Sequence, residues 1–306
     1  MVAPRRNLSK DGLSSWPSFA AGLAVGCLLM FLCLGQPLPP PESSSSLLNV
    51  NNNNLRMLES QQLIIGQEEP DNGWHTINVW YHDRKALGQD LQKPSYGQVH
   101  QDEIILDLIG DAGYFIDLAA NDALEFSNTL VLERHNGWHG LCIEPNPTYW
   151  YGLAHRKCTV VGALMGGEQI DQVNVKFRGV FGGIVGKMDG KLANRKKEPQ
   201  APTEQRYTVP ISKVLQRYQV PKTIDYLNLD IEGAEFLVMQ HFPFDTYKVR
   251  VMTVERPNEQ LHALLESKGY HHLKDLTWWG ETLWAHESSG FTKDHPKIVK
   301  IPYEGK

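Results

Sequence analysis

The sequence predicts an α/β protein with a doubly wound, mostly parallel sheet, preceded by one N-terminal hydrophobic helix. From about Trp74 onward, short apolar runs alternate with amphipathic segments, which is the pattern of a parallel sheet with helices on both faces. Ahead of that point lies one long uncharged apolar stretch, followed by a polar, proline-rich segment. The hydrophobic fraction of 41% and the charged fraction of 21% are ordinary for globular proteins, so most of the chain can bury a core.

The predicted strands follow one another in a clear order. Tyr114–Leu118 is a short buried strand, and a turn of small residues leads from it into a helix-like segment, Asn121–Arg134. Gly140–Glu144 is the next strand, and Pro145–Pro147 opens another helix because proline suits the first helical turn. Later strands are predicted at Thr159–Leu164, Thr223–Asp230 and Val249–Glu255.

The first 36 residues are expected to contain a membrane anchor. Phe19–Leu34 is almost wholly apolar, at the short end of the roughly 17–25 residues that a spanning helix needs, and uncharged flanks extend it. A cleaved signal peptide is the alternative, because its charged start and apolar core look similar. We therefore assign residues 1–16 to a short basic tail, 17–36 to a transmembrane signal anchor, 37–73 to a flexible stalk and 74–306 to the folded domain.

The charges around the apolar stretch predict its orientation. Arg5, Arg6 and Lys10 precede it, whereas no basic residue follows until Arg56. The positive-inside rule then gives a cytosolic N-terminus and a folded domain in the lumen of the secretory pathway, in the endoplasmic reticulum or the Golgi.

Charge and cysteine content limit the classes of function. The net charge of −5 argues against nucleic-acid binding, which requires a strongly basic surface. Two of the four cysteines lie in the apolar stretch, while Cys142 and Cys158 lie in segments that read as buried strands. Two buried thiols are the expectation for this pair, with one disulfide as the alternative. No Cys/His spacing of the zinc-site kind occurs, and no metal ligand is assigned.

We select acidic residues at or close to the carboxyl ends of three predicted strands, namely Asp117, Glu144 and Asp230. In a doubly wound sheet, the carboxyl ends of the strands form the edge where ligands bind. We expect these carboxylates to be solvent-accessible, because a charge in mid-strand carries a large desolvation cost. Capping of the following helix is an alternative use for each acid taken alone.

The turn after the first strand favours a ribose-bearing cofactor without phosphate. Ala119 and Ala120 let a ligand approach the backbone, and Glu144 lies 27 residues after Asp117, comparable to the roughly 20-residue offset of ribose-binding acids. No glycine-rich phosphate loop follows the strand, and Asp117 and Asp122 would repel a pyrophosphate. S-adenosylmethionine, which has a ribose and a sulfonium cation, is therefore favoured over NAD and ATP.

Five sequence blocks follow one another between residues 98 and 284, at 98–106, 114–133, 138–153, 156–163 and 224–243. The most specific are Ile143–Pro147 (IEPNP) and Leu229–Glu235 (LDIEGAE), in this order. Together the blocks resemble the FkbM-type methyltransferase family, and more closely its eukaryotic, membrane-anchored branch.

The resemblance implies a class I methyltransferase fold, a Rossmann-like sheet of seven strands ending in an antiparallel hairpin, here Tyr270–Leu276 and Glu281–His286. It implies S-adenosylmethionine as methyl donor and, most often, a hydroxyl acceptor on a glycan or small metabolite. The cofactor residues that it implies are Asp117, Ala119, Ala120, Asn121, Glu144 and Asn146. It also implies methyl transfer beside Asp230, Glu232 and Glu235, with Asp230 or Glu232 positioning or deprotonating the acceptor and Glu235 assisting.

The first turn departs from the family pattern. Where methyltransferases commonly have D-x-G-A-N-x-G, this chain has Asp117–Ala123, with alanine in place of both glycines. Alanine disfavours positive φ angles, so we expect a strained turn and weaker cofactor binding. Two other functions stay open: a weak or inactive methyltransferase-like protein acting in membrane trafficking or interaction, and a nucleotide-sugar enzyme on the same fold class.

Overall fold

The computed structural model describes residues 63–68, 74–79, 93–135, 137–180, 182–186 and 201–305. These residues form an α/β fold built on a mixed parallel and antiparallel β-sheet. The predicted tail, the predicted anchor and most of the predicted stalk lie outside these residues. Among the described residues, no helix is long and apolar enough to cross a membrane.

The described part of the chain contains twelve strands. They are β1 (Leu63–Glu68), β2 (Trp74–Val79), β3 (Tyr114–Leu118), β4 (His139–Ile143), β5 (Thr159–Gly166), β6 (Gln172–Lys176), β7 (Gly183–Ile184), β8 (Glu204–Pro210), β9 (Thr223–Leu229), β10 (Lys248–Glu255), β11 (Tyr270–Asp275) and β12 (Glu281–His286). The strands predicted from the sequence are thus confirmed to within a few residues at each end.

Short helices connect the strands. They are α1 (Gln101–Ile109), α2 (Leu130–His135), α3 (Trp150–Leu153), α4 (Ile211–Arg217), α5 (Glu235–Met239), α6 (Glu259–Ser267) and α7 (Pro296–Lys300). Single turns of 3-10 helix lie at Pro147–Tyr149 and Glu287–Ser289.

The strand order locates the ligand-binding edge. The main path runs β11-β12-β10-β9-β3-β4-β5 and continues through β8, β6 and β7. The pairs β9/β10, β3/β9, β3/β4 and β4/β5 are parallel, whereas β12 is antiparallel to both β10 and β11. The winding reverses between β3 and β9, so a crevice is expected at the carboxyl ends of these two strands.

One expectation about the extent of the sheet is wrong. The sheet has more than seven strands, because it continues past β5 into β8, β6 and β7, and β2 also pairs with β5. Strand β1, which pairs with β2, lies within residues 37–73, and the assignment of that segment to a stalk stays a prediction.

Two apolar layers cover the sheet. On one face, α4, α5 and α6 pack through residues such as Val214, Val238 and Leu261. On the other face, α1, α2, α3 and α7 pack through residues such as Ile105 and Leu132. Burial of the sheet on both faces explains why its central strands are near-continuous apolar runs in the sequence.

The helix predicted at Asn121–Arg134 is wrong in its first part, because α2 begins only at Leu130. The Asp122 Oδ1 atom accepts hydrogen bonds from the backbone N–H groups of Leu124 and Glu125, at 2.8 and 2.9 Å. Such local side-chain bonds compete with helix formation. Residues 121–129 therefore form an irregular loop beside the carboxyl end of β3.

A buried charged network ties this loop to the sheet. The Arg156 guanidinium donates hydrogen bonds to Glu133 Oε1 at 2.9 Å, Ser127 Oγ at 2.8 Å and Thr129 Oγ1 at 2.8 Å. The side chains of Arg156 and Glu133 are fully buried. The Thr129 hydroxyl in turn donates to Asp117 Oδ2 at 2.6 Å, which links the loop to the end of β3.

The expectation of two separate thiols is wrong, because Cys142 and Cys158 form a disulfide. Cys142 lies in β4, and Cys158 immediately precedes β5. The parallel pairing of these strands brings the two Cα atoms to 5.9 Å, within the range that a disulfide requires. The sequence locates both cysteines near strands, but their proximity depends on the pairing of those strands.

Candidate active site

A cleft opens at the carboxyl ends of β3, β4 and β9, where the winding of the sheet reverses. Its polar part is lined by residues that include Asn121, Glu144, Asn146, Tyr149, Asp230 and Glu232. An apolar part adjoins it, lined by residues that include Ile143, Ala163, Met165, Ile184 and Ile231. Ala119, Pro145 and Gly182 line both parts, so the two are continuous.

Glu144 holds the two loops on one side of the cleft. Its Oε2 atom accepts the Asn121 N–H at 2.9 Å, and its Oε1 atom accepts the Asn146 N–H at 2.7 Å. Burial raises the pKa of Glu144 to about 7, although the two N–H groups counteract this rise. The expectation of a solvent-accessible carboxylate is wrong for Glu144, because this residue is only 4% exposed. Each carboxylate oxygen keeps a second lone pair for a ligand donor.

Asn121 presents an acceptor without a partner. Its backbone is left-handed, with φ 54°. Its Oδ1 atom is buried and has no hydrogen-bond partner within the part of the chain that the structure describes. By contrast, the Asn146 Oδ1 atom accepts the Thr148 N–H at 3.1 Å and caps the 3-10 turn. Of the two amides, Asn121 is therefore the one whose side-chain oxygen suits a ligand donor.

Asp117 is not an accessible acid of the cleft. It is 1% exposed, and its Oδ1 atom accepts the Asn228 Nδ2–H at 2.9 Å while Oδ2 accepts the Thr129 hydroxyl. Burial raises its pKa, and the nearby Arg156 charge lowers it. The expectation of a solvent-accessible carboxylate is wrong here, because the side chain points into the Arg156 network.

Asp230 and Glu255 form a hydrogen-bonded carboxyl pair. Burial raises the pKa of Asp230 well above its usual range, and the charge and hydrogen bond of Glu255 raise it further. Burial also raises the pKa of Glu255 to about 7, whereas the hydrogen bond from Asp230 lowers it. Both pKa values are raised, so ionisation of the two carboxyl groups together is disfavoured as long as no cation lies beside them.

Glu232 and Glu235 occupy the turn that follows β9, in different ways. Glu232 lines the cleft, has φ 54°, and its Oε2 atom lies 4.0 Å from Nη1 of Arg256. The Glu235 Oε1 atom accepts the N–H groups of Ile231 and Gly233, each at 3.0 Å. Glu235 therefore stabilises the turn, and its carboxylate is directed at the backbone.

A comparison with known families agrees with this geometry. Residues 117–271, just over half of the chain, match the family model described as the methyltransferase FkbM domain. The chain belongs to the FkbM methyltransferase family. Neither a curated protein nor a solved structure shows a significant match to it. The FkbM domain begins at Asp117, in β3, and so includes both walls of the cleft.

The FkbM domain brings together most of the residues predicted for the site. The cleft is lined by Ala119, Asn121, Glu144, Asn146, Asp230 and Glu232. Ala120 is buried, and Asp117 and Glu235 make the internal contacts described above. The predicted roles of all nine residues stay predictions.

The sequence analysis missed three charged residues beside Asp230, namely Glu255, Arg256 and Glu281. Glu255 ends a predicted strand, so the signal that selected Asp230 applies equally to it. Arg256 follows it, with Nη2 3.0 Å from Glu255 Oε1. Glu281 begins β12, and burial raises its pKa to about 8. Because β12 is antiparallel, a rule about carboxyl strand ends does not select Glu281.

The first turn of this FkbM domain carries strain at one of its two substituted glycine positions. Ala119 has φ 63°, whereas Ala123 is not among the residues with positive φ. The N–H groups of Ala119 and Ala120 both donate to the Ile143 carbonyl, at 2.9 and 3.1 Å, which fixes the turn. The expected strain is confirmed at Ala119.

Replacing Ala119 with glycine should therefore stabilise the protein. A left-handed conformation costs an alanine about 1–2 kcal/mol, while the extra chain entropy of glycine costs about 0.5–1 kcal/mol. We expect Ala119→Gly to raise the free energy of unfolding by about 0.5–1 kcal/mol, measured by urea denaturation. Ala123→Gly is the matched control and should lower it, so responses of the same sign would contradict the assignment.

Proposed function

We propose that this FkbM methyltransferase uses S-adenosylmethionine to methylate a hydroxyl group on a glycan or small metabolite. The observation that carries the proposal is the character of the polar cleft. It joins Glu144 and Asn121 on one wall to Asp230 and Glu232 on the other, and no described residue that lines it is basic.

The chemistry of the cleft supports this cofactor. Ribose hydroxyls and an ammonium group are donors, and the cleft offers acceptors at Asn121 Oδ1 and at the Glu144 carboxylate. A sulfonium cation is favoured beside carboxylates, whereas a pyrophosphate would be repelled. Glu144 would hold the ribose, and Asn121 would accept from the ribose or from the amino group.

The residues beside Asp230 support a hydroxyl acceptor. When bound, S-adenosylmethionine supplies an electrophilic methyl group, and the protein must align the hydroxyl and accept its proton. An aspartate with an ordinary pKa is a weak base for an alcohol. The raised pKa values of the Asp230–Glu255 pair make it better matched to a proton that leaves late in the transfer.

The cofactor proposal is tested by calorimetric titration of the full-length chain in detergent with S-adenosylmethionine. Glu144→Ala should weaken binding roughly ten- to a hundredfold, because a charge-assisted hydrogen bond contributes about 1.5–3 kcal/mol. Glu125→Ala, an exposed residue in the nearby loop, is the control and should bind as wild type does. Unchanged affinity in Glu144→Ala would refute the ribose assignment. A wild-type chain that binds no cofactor would favour the non-enzymatic interaction function, which the strain at Ala119 also favours.

The acceptor proposal is tested with Asp230→Asn. We expect transfer of labelled methyl in a single turnover to fall at least about a hundredfold, because an amide neither takes nor releases the proton. Cofactor affinity should stay within about tenfold of wild type. If Asp230 only caps the following turn, the variant will transfer methyl at nearly the wild-type rate, since asparagine caps about as well as aspartate. The acceptors offered are a mixture of glycans and small hydroxylated compounds.

We also propose that the methyltransferase domain resides in the lumen of the secretory pathway, behind a single N-terminal anchor. The basic residues ahead of the apolar stretch support this orientation, and the Cys142–Cys158 disulfide fits an oxidising compartment. Protease added to sealed vesicles should spare the chain after about residue 36. Digestion of the domain without detergent would contradict this topology, and a lumenal marker protein serves as control for vesicle integrity.

A further inference from the structure

Acidic residues form a row across three neighbouring strands at the ligand-binding edge. Leu229 in β9 pairs with Val254 in β10, so Asp230 and Glu255 follow side by side. Glu255 in turn pairs with Glu281 in β12. Strand pairing therefore places these three acids next to one another at the same edge of the sheet.

Three carboxylates converge at one end of this row. Asp230, Glu232 and Glu255 each offer one carboxylate oxygen, and these three oxygens all lie within 4.8 Å of one another. Glu232 and Glu255 are buried, and Asp230 is partly buried. Arg256 contributes one positive charge to the group, 3.0 Å from Glu255 and 4.0 Å from Glu232. One guanidinium does not balance three converging acids.

A second observation comes from Glu281, behind the three carboxylates. Glu281 is 4% exposed, and its Oε1 atom has no hydrogen-bond partner among the described residues. Gln101 forms a hydrogen bond with the same carboxyl group, and the strongest charge interaction of Glu281 is with Asp230. A buried carboxyl oxygen without a partner is unusual in folded proteins, where such atoms are nearly always paired, and strand pairing places Glu281 beside Glu255.

We propose that Asp230, Glu232 and Glu255 bind a divalent cation, Mg²⁺ or Mn²⁺, and that Glu281 Oε1 accepts a hydrogen bond from a water on that cation. The donor set consists of carboxylate oxygens alone, which suit hard cations and not zinc or copper. Mg²⁺ and Mn²⁺ keep several waters when they bind to few carboxylates, which leaves a donor for Glu281.

The position of this site gives the cation a role, which rests on the proposed methyltransferase function. Asp230 and Glu232 line the polar cleft as well as the cation site. An acceptor hydroxyl that enters the cleft could replace one of the waters on the cation. Coordination would orient that hydroxyl and lower its pKa. As the methyl carbon leaves the sulfonium sulfur, which becomes a neutral thioether, and bonds to the hydroxyl oxygen, the hydroxyl proton would pass to a carboxyl oxygen of Asp230 or Glu255 that does not bind the cation.

The binding experiment uses the full-length chain in detergent, without a histidine tag and treated with chelator. Mn²⁺ is titrated and the free ion is followed by electron paramagnetic resonance. We expect one Mn²⁺ per chain, displaced by Mg²⁺. Glu255→Gln and Glu232→Gln should abolish detectable binding, and Glu281→Gln should weaken it roughly tenfold, as changes behind a metal site typically do. Glu259→Gln, on the exposed start of α6, is the charge-matched control and should bind as wild type does.

Several results would overturn the site. If the wild-type chain binds no Mn²⁺, the site is refuted without reference to any variant. If binding persists in both Glu255→Gln and Glu232→Gln, the site is also refuted. The near-ultraviolet circular dichroism of each variant is compared with wild type, and a variant that fails to fold is replaced by Asp230→Asn. Cofactor titration is run separately: Mn²⁺ binding without S-adenosylmethionine binding would support the cation site and refute the proposed function. S-adenosylmethionine binding without Mn²⁺ binding would support the proposed cofactor and refute the cation site.

Discussion

The buried guanidinium of Arg156 is the interaction on which the cleft depends. It donates hydrogen bonds to Glu133, Ser127 and Thr129, and the Thr129 hydroxyl donates to Asp117 in β3. A buried charge left without its partner is strongly destabilising, so these contacts support one another. Residues 121–129 of the loop that follows β3 form no α-helix, and this network connects the loop to the sheet.

The acids of the sheet edge fall into two groups. Asp117 lies inside the Arg156 network, where burial raises its pKa and the Arg156 charge counteracts that rise. Glu144, Asp230 and Glu232 face the cleft, where Arg256 is the nearby cation and reaches Glu232 at 4.0 Å. This excess of negative charge favours cationic ligands over phosphate-bearing ones. A sulfonium methyl donor and a divalent cation therefore suit the cleft for one electrostatic reason.

The acids at the strand ends illustrate what a sequence rule can find. The rule selects Glu144 and Asp230, which line the cleft, and it applies equally to Glu255, which was overlooked. It also selects Asp117, whose side chain points away from the cleft, because the rule locates a position along the strand and not the direction of a side chain. Glu281 starts a strand instead of ending one, and only its pairing with Glu255 brings it to this edge.

The sequence by itself determined the strands, their order along the chain and the family blocks, because hydrophobic periodicity and short motifs are local properties. Tertiary structure decided which strands are neighbours and in what register, and these follow from contacts between distant segments. The Cys142–Cys158 disulfide, the hydrogen bond between Asp230 and Glu255, and the number of strands in the sheet all depend on those neighbours. Raised pKa values likewise required the structure, since burial is a property of the packed chain and not of the residue.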